Sequence, residues 1–319
     1  QFGAGVVLAR ILVPAEFGLF GMVAIFTGLA VIFRDLGIGP ALVRQKHFDD
    51  GLFSTVFWFN LMCAVGIAGS LFLAAPAIAA FYGEPVVRGL CRLSGLNLVV
   101  GSLSLCYKVV LRRQVDYRTR GMIEATGRVT YASAAVTLAL RGWGPWALVW
   151  GAIAENSATF ALMLVFVRRR LALRFSWSRL RPLLGFGGFV VGGQLAKYMQ
   201  SNVSLILVGL IGGKASLGLF KKAVATGTMP VRHLTWSVSD VLFPSMAKLA
   251  PGCREMQSGM LKVARCVSLL TFPACIGLAV TARPFILGVY GEKWEGVVGP
   301  LQICCLVALT FALQGVMRS

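Results

Sequence analysis

The sequence predicts an all-α integral membrane protein: two lobes of transmembrane helices repeated in parallel, with about 10 spans present. Three observations carry this. First, 57% of the 319 residues are hydrophobic and only 13% are charged, with a mean hydropathy of +0.77. A water-facing domain averages about 25% charged residues, so the bulk of this surface suits lipid. Second, Gly51–Gly83 runs for 33 residues without a charge, enough for a tilted span with extended ends. Third, two short motifs recur in the same order. Ala15-Glu-Phe-Gly-Leu-Phe20 returns as Ala215-Ser-Leu-Gly-Leu-Phe220, and Tyr82-Gly-Glu84 returns as Tyr290-Gly-Glu292. Repeats an even number of spans apart keep one orientation, which relates the lobes by an axis along the membrane normal.

The spans follow in order. Gln1–Val13 is apolar except for Arg10 and reads as the end of a first helix, closed by Pro14. Phe17–Phe33 carries no charge and forms the second span, up to Arg34-Asp35; Gly51–Gly83 is the third. The fourth covers Val86–Leu111 and the fifth Gly121–Leu140, with Glu124 and Arg128 near its start. The turn at Arg141–Trp146 sets two tryptophans at an interfacial belt, and the sixth span runs on to Val167. Pro182–Gly213, Ser216–Leu242, Val263–Ala282 and Val297–Met317 are the seventh to tenth. The lobes are therefore 1–167 and 182–319, joined by a basic linker at 168–181. The chain starts on Gln1 and ends on Arg318-Ser319, which reads as a fragment truncated at both ends.

A net charge of +19 in a soluble protein would point to nucleic acid; here its distribution points to topology. Alternating the connections puts 18 of the 31 lysines and arginines inside, seven outside and six within spans. That bias makes the linker, with six arginines in fourteen residues, cytoplasmic. The eight cysteines include no CxxC pair and the two histidines lack metal-ligand spacing, so neither metal nor cofactor is expected. Asn202-Val-Ser204 matches a glycosylation pattern but lies inside a span.

Charges within spans are costly unless they face a cavity or a partner, so they mark candidate sites. Lys197 lies mid-span beside Gln194, Gln200, Ser201 and Asn202. Lys221, Ala225, Thr228 and Arg232 form one stripe of the eighth helix, with Lys222, Thr226, His233 and Asp240 beside it. Glu155 is the mid-span carboxylate of the sixth helix. Arg34 and Asp35 suit either a local ion pair at a helix end or a gate between lobes, and Glu124–Arg128 an intrahelical pair. Trp143, Trp146, Trp177, Trp236 and Trp294 fall near span ends, where interface anchoring is the default.

The segments Leu12-Val-Pro-Ala-Glu-Phe-Gly-Leu-Phe-Gly21 and Arg34-Asp-Leu-Gly-Ile-Gly-Pro-Ala-Leu-Val-Arg-Gln45, with both Tyr-Gly-Glu turns, resemble polysaccharide exporters and O-antigen flippases of the Wzx/PST type. These belong to the superfamily that also holds MATE drug antiporters. The resemblance implies roughly 12 to 14 helices in two lobes. It also implies transport of an undecaprenyl-diphosphate-linked oligosaccharide across the bacterial inner membrane, beside a polysaccharide polymerase.

On that basis Lys197, Lys221, Lys222 and Arg232 are assigned to the anionic headgroup, because lysine and arginine suit a diphosphate. Glu155, Arg34, Asp35 and Asp240 are assigned to coupling, by H+ or Na+, or to gating. The alternative for Lys221 and Lys222 is snorkelling to the interface. Two other functions compete. A MATE-type antiporter for cationic drugs would need an acidic cavity, whereas six cations and three carboxylates (Glu124, Glu155, Asp240) lie in the spans. A membrane polymerase or ligase would carry a large outer loop, and every outer connection here is short. No catalytic motif is visible, and the expectation is a transporter rather than an enzyme.

Overall fold

The apolar periodicity becomes helix after helix in a computed structural model. It describes residues 2–35, 38, 42, 45, 49–114, 116–167, 171–172, 175–231 and 254–317. Among them lie α1 (Phe2–Ile11), α2 (Pro14–Asp35), α3 (Asp50–Tyr82), α4 (Pro85–Leu103), α5 (Leu105–Gln114), α6 (Tyr117–Leu140) and α7 (Trp146–Phe166). They are followed by α8 (Trp177–Gly227), α9 (Arg254–Val280), α10 (Ala282–Val289), a 3-10 turn (Glu292–Val297) and α11 (Val298–Met317). No strand occurs among the described residues. The fold is that of an all-α, multi-pass membrane protein.

Among the described residues, five helical stretches are long and apolar enough to cross a membrane: Pro14–Asp35, Asp50–Tyr82, Pro85–Gln114, Trp146–Phe166 and Val191–Val231. A sixth is the pair Val267–Val280 and Ala282–Val289, bent by 74° where the sequence suggests a plain ninth span. The expected fifth span falls within α6, which is helical but more polar than these, because Arg118, Arg120, Glu124 and Arg128 occupy its first half. Glu124 meets Arg120 at 2.7 Å and Arg128 only at 4.0 Å, so the tighter intrahelical partner is not the expected one.

The boundary between the seventh and eighth spans is where the sequence places it. α8 contains one non-helical residue, Gly213, at φ 70° and ψ −172°, which suits a residue without a Cβ. The chain folds back there: a Cβ on Gly209 would lie 3.2 Å from Leu217, which an unbroken helix would carry about 12 Å further on. Of the eighth span, 232–242 lies outside the described residues.

The fourth span runs from Pro85 to Gln114 with one turn residue, Ser104, at φ −84° and ψ −14°. α4 ends at Leu103 and α5 starts at Leu105. The Asn60 amide donates to the Ser102 carbonyl at 3.0 Å, supplying a partner beside the interruption. The chain divides into two compact units, Gln1–Leu217 and Gly218–Ser319. In the first, Leu19, Met22 and Val23 of α2 share a core with Leu71, Ala75 and Ile78 of α3, Leu90 of α4 and Val149 of α7. In the second, α9 packs along α11.

Both Tyr-Gly-Glu turns place their glycine at positive φ, Gly83 at φ 65° and ψ 21° and Gly291 at φ 96° and ψ 169°. Each tyrosine packs at the same offset from the first repeat motif. Tyr82 meets Phe26, eleven residues after Ala15, with ring centroids 6.1 Å apart. Tyr290 meets Thr226, eleven after Ala215, with hydroxyls 3.3 Å apart. The two tyrosines thus meet residues at matching positions of the sequence repeat.

The described part of the linker is strapped down. Ser54 and Thr55 each return a hydroxyl hydrogen to their own helix and accept a linker N–H, from Ala172 at 3.0 Å and Ser176 at 3.3 Å. The Trp58 indole donates to the Ala172 carbonyl. Asp49 caps α3 by accepting from the Leu52 N–H and pairs with Arg179 at 2.6 Å. The cap bond first, and then the guanidinium, hold the Asp49 carboxyl below its ordinary range.

Candidate functional site

The first group of polar residues lies inside the N-terminal unit. Arg34 ends α2 and is buried, where its guanidinium pairs with Asp35 at 2.7 Å and donates to the Leu98 carbonyl of α4 at 3.2 Å. Its neighbour across the bundle is Asn156 of α7, whose amide donates to Asn97 of α4 at 2.9 Å. Gly101 makes the room: a Cβ there would sit 3.3 Å from Arg34 and 3.5 Å from Asn156. Within this unit Arg34 ties α2 to α4, which is more than the helix-end ion pair read from the sequence.

Glu155 is half-buried beside this group, packed against α6 where Gly127 leaves space for its side chain and for Thr159. The charges of Arg34, Glu124, Glu155 and Asp35 all bear on Lys108 of α5. One interior charge cluster thus draws on α2, α5, α6 and α7. Sequence reasoning misses Asn60, Asn97, Asn156 and Lys108, although asparagine within an apolar span is itself a signal.

The second group is on the first limb of α8. Lys197 is exposed, as are Gln194, Gln200, Ser201 and Ser204, which together form one polar face of this limb. Tyr198 turns the other way and seats the limb on α2, its hydroxyl donating to the Ile25 carbonyl at 2.6 Å over Gly28. Asn202 folds its amide onto the Tyr198 carbonyl instead of joining that face.

At the far end of this limb, Lys214 pairs with Glu84 of the first Tyr-Gly-Glu turn at 2.9 Å. Tyr82 lies over Gly209 and the Lys214 carbonyl rests on Gly18 of α2. No motif or spacing marks Lys214 for this role.

Lys222 is engaged in the C-terminal unit. Its ammonium lies 4.1 Å from the centroid of the Tyr290 ring and 5.6 Å from that of Trp294. Both rings are buried, Trp294 completely, so Trp294 is not the interface anchor its position suggests. Cation–π attraction of about 2 kcal/mol when desolvated explains how a lysine is kept here. Lys221 is half-buried on the adjacent position. Arg232, Asp240 and Trp236 lie outside the described residues. Trp143 and Trp177 are exposed as an anchor would be, whereas Trp146 packs on Gly89. Among the described residues no three His, Cys, Asp or Glu side chains could share a metal ion.

The model of a family described as "Polysaccharide biosynthesis protein" matches residues 7–299, nearly the whole chain. The chain belongs to that family. The resemblance to polysaccharide exporters carried by Leu12–Gly21, Arg34–Gln45 and the Tyr-Gly-Glu turns is thereby borne out.

Among its relatives is the lipopolysaccharide biosynthesis protein WzxC of Escherichia coli K12, 26% identical over 95% of this chain. The teichuronic acid biosynthesis protein TuaB of Bacillus subtilis is 27% identical over 90%, and the succinoglycan biosynthesis transport protein ExoT of Rhizobium meliloti is 27% identical over 90%. The chain spans 62%, 60% and 58% of their respective lengths. A MATE-family multidrug transporter in an inward-facing conformation superposes with a TM-score of 0.67 at 15% identity, over 99% of this chain and 80% of that one. That likeness establishes a MATE-like fold for this member of the polysaccharide biosynthesis family.

Proposed function

We propose that this protein flips a polyprenyl-diphosphate-linked oligosaccharide across the bacterial inner membrane, with two lobes, 1–167 and 182–319, rocking about a cationic cavity. The observation that carries the reading is the exposed face of Lys197, Gln194, Gln200, Ser201 and Ser204 on an otherwise apolar span. A single face of donors and one cation suits a phosphate flanked by sugar hydroxyls, while the flanking apolar surface suits the polyprenyl tail. Lys197, Lys221 and Arg232 are the proposed headgroup ligands. Lys222 is set aside because two buried rings already face its ammonium. The bias of lysine and arginine to one side of the spans supports a cytoplasmic linker and an inward start for the substrate.

Glu155 is the proposed coupling group, for H+ or Na+. It is a half-buried carboxylate whose charge bears on Lys108, as do those of Arg34, Asp35 and Glu124, so a change in its charge alters the field at that lysine. Asp35, held by Arg34, and Asp240 are proposed to respond in gating.

The test is made in the host with the full-length gene. Deletion should abolish surface polysaccharide and accumulate lipid-linked oligosaccharide on the cytoplasmic leaflet, rescued by wild type. Lys197→Ala should restore export about ten-fold less well at equal membrane abundance, the factor that removal of one charge-assisted hydrogen bond produces. Full export by Lys197→Ala would remove it from the cavity, and normal polysaccharide with altered sensitivity to cationic drugs would favour the antiporter. In proteoliposomes, Glu155→Gln should transport at a rate that no longer follows the imposed ion gradient. A retained gradient dependence would exclude coupling through Glu155.

A further inference from the structure

The linker region presents a surface that the proposed transport does not use. Residues 171–172 and 175–181 are fixed to α3 by the hydroxyls of Ser54 and Thr55, the Trp58 indole and the Asp49–Arg179 pair, and Leu180 is fully buried in the core beneath. That anchoring leaves the opposite side outward. Phe175 is 48% exposed, Trp177 56% and Leu171 38%, and Arg179 and Arg181 are exposed beside them. Two exposed aromatics followed by two arginines on an anchored strap, at the foot of a span, match the boundary between headgroups and acyl chains.

We propose that residues 175–181 form a binding surface for an anionic phospholipid, with Arg181 at its phosphodiester, Arg179 held against Asp49, and Phe175 and Trp177 seated among the upper acyl carbons. Charge decides the occupant. The linker carries six arginines in fourteen residues and no acidic residue, in a chain of net charge +19. A zwitterionic headgroup would bring a second cation against that surface, whereas a phosphatidylglycerol headgroup brings only the phosphate. Fixing the strap in advance lowers the ordering cost of binding.

The inference rests on the linker facing the lipid surface, and its test does not depend on the identity of the transported sugar. The full-length protein is placed in nanodiscs of phosphatidylcholine with increasing phosphatidylglycerol, and retained lipid is counted by native mass spectrometry. Wild type should enrich phosphatidylglycerol over the bulk fraction, and adding salt to roughly 0.5 M should erase the enrichment, because the Debye length then falls to a few ångströms. Arg181→Gln should lower the apparent affinity about five-fold, the factor for one arginine at an anionic surface. Trp177→Ser should weaken it further, while Trp143→Ser, exposed at the α6–α7 turn, should leave it unchanged. Equal retention of both lipids, unchanged enrichment in Arg181→Gln, or displacement of the lipid by an equal concentration of inorganic phosphate would each overturn the proposal. Lipid enrichment with failed oligosaccharide export, or the reverse, separates this inference from the flippase reading.

Discussion

Valine at Gly18 is expected to drive the protein out of the arrangement seen here, by about 3 kcal/mol or more, because the clash is with backbone. A Cβ at that position would overlap the Lys214 carbonyl oxygen, and the carbonyl carbon and Cα of Lys214 lie directly behind it. No rotamer change relieves this, since the obstacle is the main chain beside the Gly213 break. The contact is part of a larger seam: Glu84 pairs with Lys214, Tyr82 covers Gly209 and Tyr198 donates to Ile25. The readout is cross-linking between Glu84→Cys and Lys214→Cys with a short bifunctional maleimide. The double-cysteine protein should cross-link efficiently, and the same protein with Gly18→Val about a hundred-fold less, with a lowered Tm in detergent. Undiminished cross-linking would mean that α2 and the Gly213 break do not approach as closely as described.

That seam also bears on mechanism. If the lobes rock as proposed, α2 and the first limb of α8 must part at this point in another state, and Gly18→Val would favour the parted state rather than unfold the chain. A variant that keeps its helical content and its monodispersity but loses the cross-link would support rocking. Loss of both would make Gly18 simply a packing residue.

Much of the fold is legible in the sequence because its signals are local. Gly213 breaks α8 where the apolar run is interrupted, and Gly83 and Gly291 stand at positive φ because their turns need a residue without a Cβ. The repeat motifs are legible for the same reason, each being a short string beside a turn. The 74° bend between α9 and α10 is not, since nothing within Val263–Ala282 marks Thr281 as a corner. The polarity of α6 is visible residue by residue, but a period of 3.6 alone cannot say how much lipid a helix meets.

The site divides similarly. Lys197 and its neighbours share an exposed face because helical spacing fixes which residues do. Arg34 cannot be placed from sequence, because its partner is a carbonyl 64 residues away. Lys222 is in principle readable. Met22 stands at the same offset in the first repeat and is fully buried, and the tyrosine of each Tyr-Gly-Glu turn packs one turn further along. Aligning the two repeats is enough to set a lysine beside Tyr290.

That substitution between repeats supplies the sharpest test of the C-terminal unit. Trp294→Ala is expected to destabilise it by about 3–5 kcal/mol, the cost of emptying a fully buried indole site. It would also take one of two rings from the Lys222 ammonium. Lys222→Met should be far milder, because the first repeat buries a methionine, Met22, at the same offset and a neutral side chain needs no π partner. Thermal melts of the purified full-length protein should therefore fall steeply for Trp294→Ala and slightly for Lys222→Met. The double variant should lie close to Trp294→Ala alone, as expected when one change removes what the other depends on. Export separates the remaining roles: a lysine that only holds the 3-10 turn in place can be methionine without loss of transport, whereas one that binds a diphosphate cannot. Export by Lys222→Met near the wild-type rate, with Lys197→Ala impaired, would fix the cation–π contact as structural. Loss of export at full stability would return Lys222 to the headgroup ligands.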